Sequence, residues 1–471
     1  MRIYLLYSVI VILLGIGFVD WFLPMCGLIV LCAFMERHDM PSNIMGIAGA
    51  NPWNLLLIIV LCHWWIGRCS EGLRWDLRGW PLLVLTGYIM MLVVGFARAA
   101  LDIDAFPVGS MTTGSARHAD YTIMGLLIDE VGNPLRYLIP GLILYDGCRS
   151  RSRTRMAIMA IVLMGLCYAV FVVKYIPLGV ITGSEDVLRS RNRIDREIGL
   201  HANDMAFVLV FIFWSIVASW PLLRHTWQKI TGAVALSVMG LAVGLCQSRA
   251  GFIGFVGIGA AMTAIRKPIL LFVIPIGLLL VPVAFPGIGA RIGMGVGIVS
   301  VSGDTIQDWN EITSGRLTNL WPSAVEYFLK APFLGYGRYA MLRNRGLYDD
   351  ILSAEGSVPS HPHNAYLEIG LDYGGAGLLA TLALFLGMLR ISWRQLRSRQ
   401  DRLVRVVGMI AFIAVLDNLL IGISSRALLP RPSAMCMWCA FALSLRLWTN
   451  ERATKVRTAV APPQSRLSEA P

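Results

Sequence analysis

Apolar residues come in long blocks along this chain rather than at amphipathic spacing. They fall at about 3–35, 52–66, 80–98, 134–147, 155–174, 202–220, 228–247, 249–264, 267–285, 365–389, 403–423 and 432–448. Roughly 20 apolar residues cross a bilayer as a helix, and several blocks fall a few residues short, so tilt or longer ends complete them. Backbone groups in hydrocarbon must pair internally, and the blocks lack the period-2 alternation of a barrel. The pattern therefore predicts an all-α fold, a polytopic integral membrane bundle of about 12 helices. The count becomes 13 if residues 3–35 cross twice. Composition agrees: 56% of the 471 residues are hydrophobic and the mean hydropathy is +0.64.

The net charge of +12 would suit a nucleic-acid binder. Its basic residues, however, crowd into short connections between spans, where positive charge sets orientation. Arg149, Arg151, Arg153 and Arg155 share one connection, and Arg390, Arg394, Arg397, Arg399, Arg402 and Arg405 fill another beside Asp401. Both are expected on the cytoplasmic side, with the C-terminus inside and no nucleic acid as partner. Loops 99–133, 175–201 and 286–364, the turn near 247–251 and residues 424–431 then face outward, the last large loop with its arginines offset by acids. Ile3 to Phe18 follows a single Arg2 and precedes no small-residue cleavage site, so a retained helix is expected. Residues 1–455 read as one membrane domain, and 456–471, with Pro462 and Pro463, as a disordered cytoplasmic tail.

The nine cysteines avoid the three large outer loops, which argues against a disulfide framework. Cys436 and Cys439 sit in an apolar helix with no further ligand nearby, so they read as core. Gly287, Gly289, Gly293, Gly295 and Gly297 alternate with apolar residues and read as a flexible, membrane-hugging segment. From Ser314 to Leu329, Leu317, Leu320, Trp321, Ala324, Val325 and Phe328 recur at helical spacing. An amphipathic outer-face helix is expected there, its N-cap near Thr313-Ser314.

Five clusters gather on the outer side. The first is Arg189, Arg191, Arg193 and Arg196 leading into His201-Ala202-Asn203-Asp204. The second is Gln247-Ser248-Arg249, a turn joining two helices. The others are Ser314-Gly315-Arg316 with Trp321, Pro332-Phe333-Leu334-Gly335-Tyr336-Gly337, and His361-Pro362-His363-Asn364 at the head of a span. Guanidinium forks bind diphosphate oxygens in pairs. An idle charge pinned between apolar helices is expensive, so Arg249 reads as functional. Arg189, Arg191, Arg338, Arg343 and Arg345 read instead as surface charges beside lipid head groups or acids. His363 is open to three readings: helix cap, metal ligand with His361, or general base. Metal is the weakest, because His-Pro-His makes no helical i, i+4 pair. Glu368 and Asp372 follow one and two turns into the helix, and Asp372 suits an ion pair with an arginine of the first two clusters.

In these residues the chain resembles the bacterial O-antigen ligase and O-antigen polymerase families. The likeness rests on His363-Asn364 with Leu367, Asp372, Gly374 and Gly377; on Arg196 and Gly199 with Asn203 and Ala206; on Ser248-Arg249; and on Ser314-Gly315-Arg316 with Trp321. It covers about residues 185–380. The resemblance implies a GT-C-like fold in the bacterial inner membrane and a metal-independent glycosyltransferase without cofactor. The reaction implied is transfer from an undecaprenyl-type polyprenyl diphosphate carrier to a glycan or lipid A core acceptor at the periplasmic face, in O-antigen or exopolysaccharide assembly. It assigns the diphosphate to Arg196, Arg249 and Arg316 and base catalysis to His363, with Arg193, His361, Asn364, Asp372 and Trp321 in support. A lipid-linked oligosaccharide flippase or other transporter is the rival. It would carry midplane charges and a repeat between halves, and the sequence displays neither.

Overall fold

The computed structural model describes residues 2–35, 37, 40–41, 43–44, 47–48, 51–107, 111–113, 117–119, 122–295, 316–355 and 358–460. Apart from two hairpin ladders of two or three residues per strand, its regular structure is helical. The longer helices are α1 (Arg2–Gly17), α2 (Phe22–Met35), α3 (Pro52–Ser70), α4 (Trp80–Ala100), α5 (Asn133–Gly147), α6 (Arg151–Tyr175), α7 (Val187–Ile198), α8 (Ala202–Ser219) and α9 (Thr226–Leu245). They continue as α10 (Arg249–Arg266), α11 (Val273–Ala284), α12 (Pro286–Gly295), α13 (Trp321–Lys330), α14 (Arg345–Glu355), α15 (Ala365–Leu396), α16 (Arg402–Gly422) and α17 (Met435–Val460).

Among the described residues, seven helices are long and apolar enough to cross a membrane: α3, α4, α6, α8 with its extension to Leu222, α9, α15 and α16. An eighth arises if α11 and α12, bent by 115°, form one broken span. The protein is thus a multi-pass helical membrane protein. The other apolar blocks are helical as well, but α1, α2 and α5 have only 16, 14 and 15 residues. The 3–35 block breaks at Asp20, whose carboxylate caps the start of α2 by accepting from the Phe22 N–H at 3.0 Å. α16 lies at the centre, with 72% of its apolar window buried inside the protein against 28% for α3 and α4. α15 packs along α16 and α4, and α5 along α17.

Three expectations change. The glycine-alternating stretch is a helix, α12, over Pro286–Gly295 rather than a flexible segment; Gly287 lets it lie directly on the Val180 carbonyl, where a Cβ has no room. The amphipathic helix begins as a π turn over Arg316–Leu320 and continues as α13, burying Leu320, Ala324 and Tyr327 while Leu317 and Val325 stay exposed. Its expected N-cap, Thr313-Ser314, lies outside the described residues. α17 runs to Val460, and residues 461–471 also lie outside them.

The Pro332–Gly337 motif has a structural task. α15 is interrupted at Gly374 (φ 68, ψ −167), which frees the carbonyls of the preceding turn. The motif runs alongside and takes them: the N–H groups of Tyr336 and Gly337 donate to Leu371 and Asp372 O at 2.8 Å each. In return, Gly375 N–H donates to Pro332 O at 2.6 Å. Gly335 and Gly337 have φ of 62 and 86, and Arg98 donates to Gly335 O at 2.7 Å. A Cβ at Gly374 would collide with the Phe333 backbone. Gly374→Ala therefore carries about 1–3 kcal/mol of backbone strain plus the clash. It is expected to lower the midpoint of heat-induced aggregation in detergent; an unshifted midpoint removes the interlock.

Candidate functional site

Four segments meet around the turn between α9 and α10. Gln247 adopts φ 50, rare for a residue with a side chain, and both it and Ser248 are fully buried. Ser248 caps α10 by accepting from Gly251 N–H and donates its own hydroxyl to Asn203 Oδ1 at 2.8 Å. Arg191, from α7, donates to Gln247 O at 2.9 Å and to Asn203 Oδ1 at 3.0 Å. Arg291, from α12, donates to the same Gln247 O at 3.2 Å. Three chain segments thereby fix the turn that presents Arg249.

Arg249 is half-buried, and its charge is felt by Arg191, Arg291 and Arg316. Burial, reinforced by the like charge of Arg249, lowers Arg316 below its ordinary value. Burial also lowers Arg191, with Arg249 adding to it. Converging guanidiniums that weaken one another favour a bound anion.

The histidine loop adjoins this group. Trp321 at the start of α13 donates to Pro362 O at 2.9 Å, so α13, which follows directly on Arg316, is pinned to the His361-Pro362-His363 turn. His363 stands at φ 52, a left-handed conformation that costs energy outside glycine. Its N–H donates to His361 Nδ1 at 3.1 Å, and the two rings lie 4.3 Å apart. Asn364 is the N-cap of α15, accepting from Tyr366 and Leu367 N–H. Burial, then the charges of Arg316 and His201, push His363 down to about 4. Burial foremost, followed by His363, Arg431, Arg338 and Arg316, pushes His361 down to about 2. Both imidazoles are neutral at pH 7.

A second group lies behind the histidines. Arg338 donates to Glu130, to Glu368 at 2.6 Å and to Asp372 at 2.5 Å, and Arg426 donates to Glu368 at 2.7 Å. All five side chains are buried. Arg338 is therefore no surface charge, and Asp372 pairs with it rather than with an arginine of the first two clusters. Arg343 corrects the same expectation: its side chain is 2% exposed, held by Asp102 at 2.9 Å and by the Tyr336 carbonyl.

Of the residues singled out from the sequence, the structure gathers Arg249, Arg316, Trp321, His361, His363 and Asn364 in one region, with Asp372 in the network behind. Arg193 is half-buried on α7, and Arg196 is exposed, paired with Glu197 at 3.1 Å. Arg191 and Arg291 stand in the cluster where Arg196 was expected. The periodicity of α7 held this signal. Ser190, Ile194 and Ile198 mark its buried face; at 100° per residue Arg191 flanks that face and Arg196 points away. Ser314-Gly315 lies outside the described residues.

Residues 232–382 match the family model described as O-antigen ligase. Over that stretch, about a third of its length, the chain is similar to this family. The resemblance read from the motifs is thereby borne out, and an O-antigen ligase- or polymerase-type membrane function is supported. The matched stretch holds Arg249, Arg316, Trp321, Arg338, His361, His363, Glu368 and Asp372; Arg191, Asn203, Glu130 and Arg426 complete the two groups from outside it. No curated protein matches the chain.

Proposed function

We propose that this O-antigen ligase-type protein is a glycosyltransferase that moves a glycan from a polyprenyl diphosphate carrier to an acceptor hydroxyl at the periplasmic face of the inner membrane. The observation that carries this reading is the meeting of a like-charged arginine group with a neutral, conformationally strained histidine, tied together through Trp321 and Pro362. The diphosphate binds Arg249 and Arg316, with Arg191 and Arg291 steadying the turn beneath. Arg196, which the resemblance assigns to the diphosphate, is exposed, and reaches the donor only from the rim. His363 accepts the proton as the acceptor oxygen bonds to the anomeric carbon. The bond from that carbon to the phosphate oxygen breaks, the oxygen keeps the electron pair, and the guanidiniums of Arg249 and Arg316 hold the charge of the leaving diphosphate. Guanidinium charge does the work a metal ion does elsewhere.

His363 suits the base better than His361, because His361 Nδ1 is already engaged by a backbone N–H. The reading keeps 12 or 13 spans, a GT-C-like arrangement and a cytoplasmic C-terminus, supported by the arginine-rich connections.

Two measurements test it. Arg249→Lys keeps the charge and loses the fork, so transfer of a lipid-linked glycan by purified protein is expected to fall at least tenfold, about the value of one charge-assisted hydrogen bond. Arg189→Lys, at an exposed position, leaves transfer unchanged. Equal activity in both variants removes the clamp. A base depressed to about 4 loses its function only as pH falls through that value. The acid limb of kcat/KM is therefore expected near 4 rather than 6.5. The limb of kcat lies higher, because bound diphosphate offsets the Arg316 charge. An acid limb of kcat/KM at 6.5 contradicts the assignment.

A further inference from the structure

A cavity of about 260 Å³ opens beside the buried Arg338 network. Asp129 and Asn133 come to it from the start of α5 and the π turn before it, Arg426 and Arg431 from the connection after α16, and Tyr339 and Tyr373 from the interlocked segments. It is smaller than the roughly 300–1,000 Å³ clefts that enclose drug-sized ligands, yet has their make-up, aromatic faces with a few placed polar groups. That volume suits a sugar ring.

Its position relative to the histidines is the second observation. Arg338 and Arg431, both lining the cavity, act on His361 but are not among the charges on His363, while Arg316 acts on both histidines. The two rings lie 4.3 Å apart, and charges of both the arginine cluster and the cavity act on the pair. A transferase needs a donor and an acceptor both within reach of its base, and the shared electrostatic reach onto His361 is consistent with the cavity serving as the second of these. The cavity's polar lining is mixed in origin: Asp129, Asn133, Arg426 and Arg431 lie outside residues 232–382, and Arg338, Tyr339 and Tyr373 inside them.

The polar groups indicate what enters. Glu130 is taken by Arg338, and Arg426 by Glu368. Asp129 accepts from Asn133 Nδ2 at 3.2 Å, which leaves the Asn133 carbonyl and the remaining carboxylate lone pairs for hydroxyl groups. The Arg431 side chain is half-buried and makes no ion pair or hydrogen bond among the described residues.

We infer that this cavity is the acceptor subsite and takes a sugar ring bearing an anionic substituent, its hydroxyls on Asp129 and Asn133 and its anion on Arg431. The inference rests on the transferase reading above. The test uses the full-length protein in nanodiscs, with glucose, glucuronate and glucose 6-phosphate as probes followed by saturation-transfer NMR, and undecaprenyl diphosphate binding measured in parallel. Glucuronate or glucose 6-phosphate is expected to bind more tightly than glucose, the comparison deciding between carboxylate and phosphate. Arg431→Gln reduces the tighter of the two roughly tenfold and erases the preference, as loss of one charged hydrogen bond requires. Asn133→Trp, which fills the cavity, abolishes binding of all three. Undecaprenyl diphosphate binds as before in both variants.

The inference is overturned if wild-type protein that binds undecaprenyl diphosphate takes up none of the sugars. It is also overturned if Arg431→Gln keeps the anion preference, an outcome readable even where Asn133→Trp fails to fold. Sugar binding that follows Arg431 and Asn133, in a protein whose hold on undecaprenyl diphosphate is indifferent to Arg249→Lys, keeps the cavity and removes the donor site instead.

Discussion

Replacing His363 with alanine is expected to slow glycan transfer by about 10²–10⁴, the usual value of general-base help to a poor nucleophile, while donor binding stays nearly intact. A sugar hydroxyl is hardly ionised at neutral pH, so the proton must leave as the new bond forms. The assay is purified protein with a lipid-linked glycan and its acceptor, run with and without chelator. His361 is expected to act through its neighbour. Its Nδ1 holds the His363 N–H and so supports the left-handed backbone at that residue. His361→Ala should therefore lose less, and His361→Asn, whose side-chain oxygen makes the same i to i+2 contact in Asx turns, should recover most of the rate. Full turnover in His363→Ala removes histidine catalysis. Flipping of the lipid-linked glycan without transfer product turns the assignment to a transporter.

The apolar blocks were enough to find the helices, because a residue in hydrocarbon has no alternative to internal hydrogen bonding. They were weaker at counting spans, since α1, α2 and α5 are apolar yet short, and α11 meets α12 at a sharp bend. At the site, local signals placed local chemistry. The Gln247-Ser248-Arg249 turn and the helix start after His361-Pro362-His363-Asn364 each depend on neighbours within a few residues, although the cap itself is Asn364 and not His363. Arg196 and Arg191 show how such reading drifts: both precede the same helix start, and only the face of α7 separates them. Arg338 was out of reach altogether. Its partners Glu130, Glu368 and Asp372 lie 208, 30 and 34 residues away, and nothing in an isolated arginine between Gly337 and Tyr339 announces burial. The Pro332–Gly337 motif was visible as a cluster, but its task depended on the break at Gly374, which only the folded chain displays.

Arg338→Met is expected to be the most destabilising substitution in the protein. Three carboxylates, with side-chain exposures of 8%, 2% and 3%, meet this one guanidinium, and of the three only Glu368 has a second cationic partner among the described residues, Arg426. Removing the arginine strands Glu130, and it leaves Asp372 with the Ala340 N–H alone. Breaking a buried pair on one side typically costs about 3–5 kcal/mol, a large share of the roughly 5–15 kcal/mol that holds a domain together. The same principle states the remedy: neutralising the stranded acids together with the arginine should be far milder than removing the arginine alone. Arg338→Met combined with Glu130→Gln and Asp372→Asn is therefore expected to recover most of the heat resistance that Arg338→Met loses, measured as the fraction remaining monodisperse in detergent after heating. That recovery distinguishes a scaffold from chemistry. If Arg338→Met withstands heat like the wild type yet cannot transfer glycan, the network belongs to the reaction and not to the frame that carries the histidine loop.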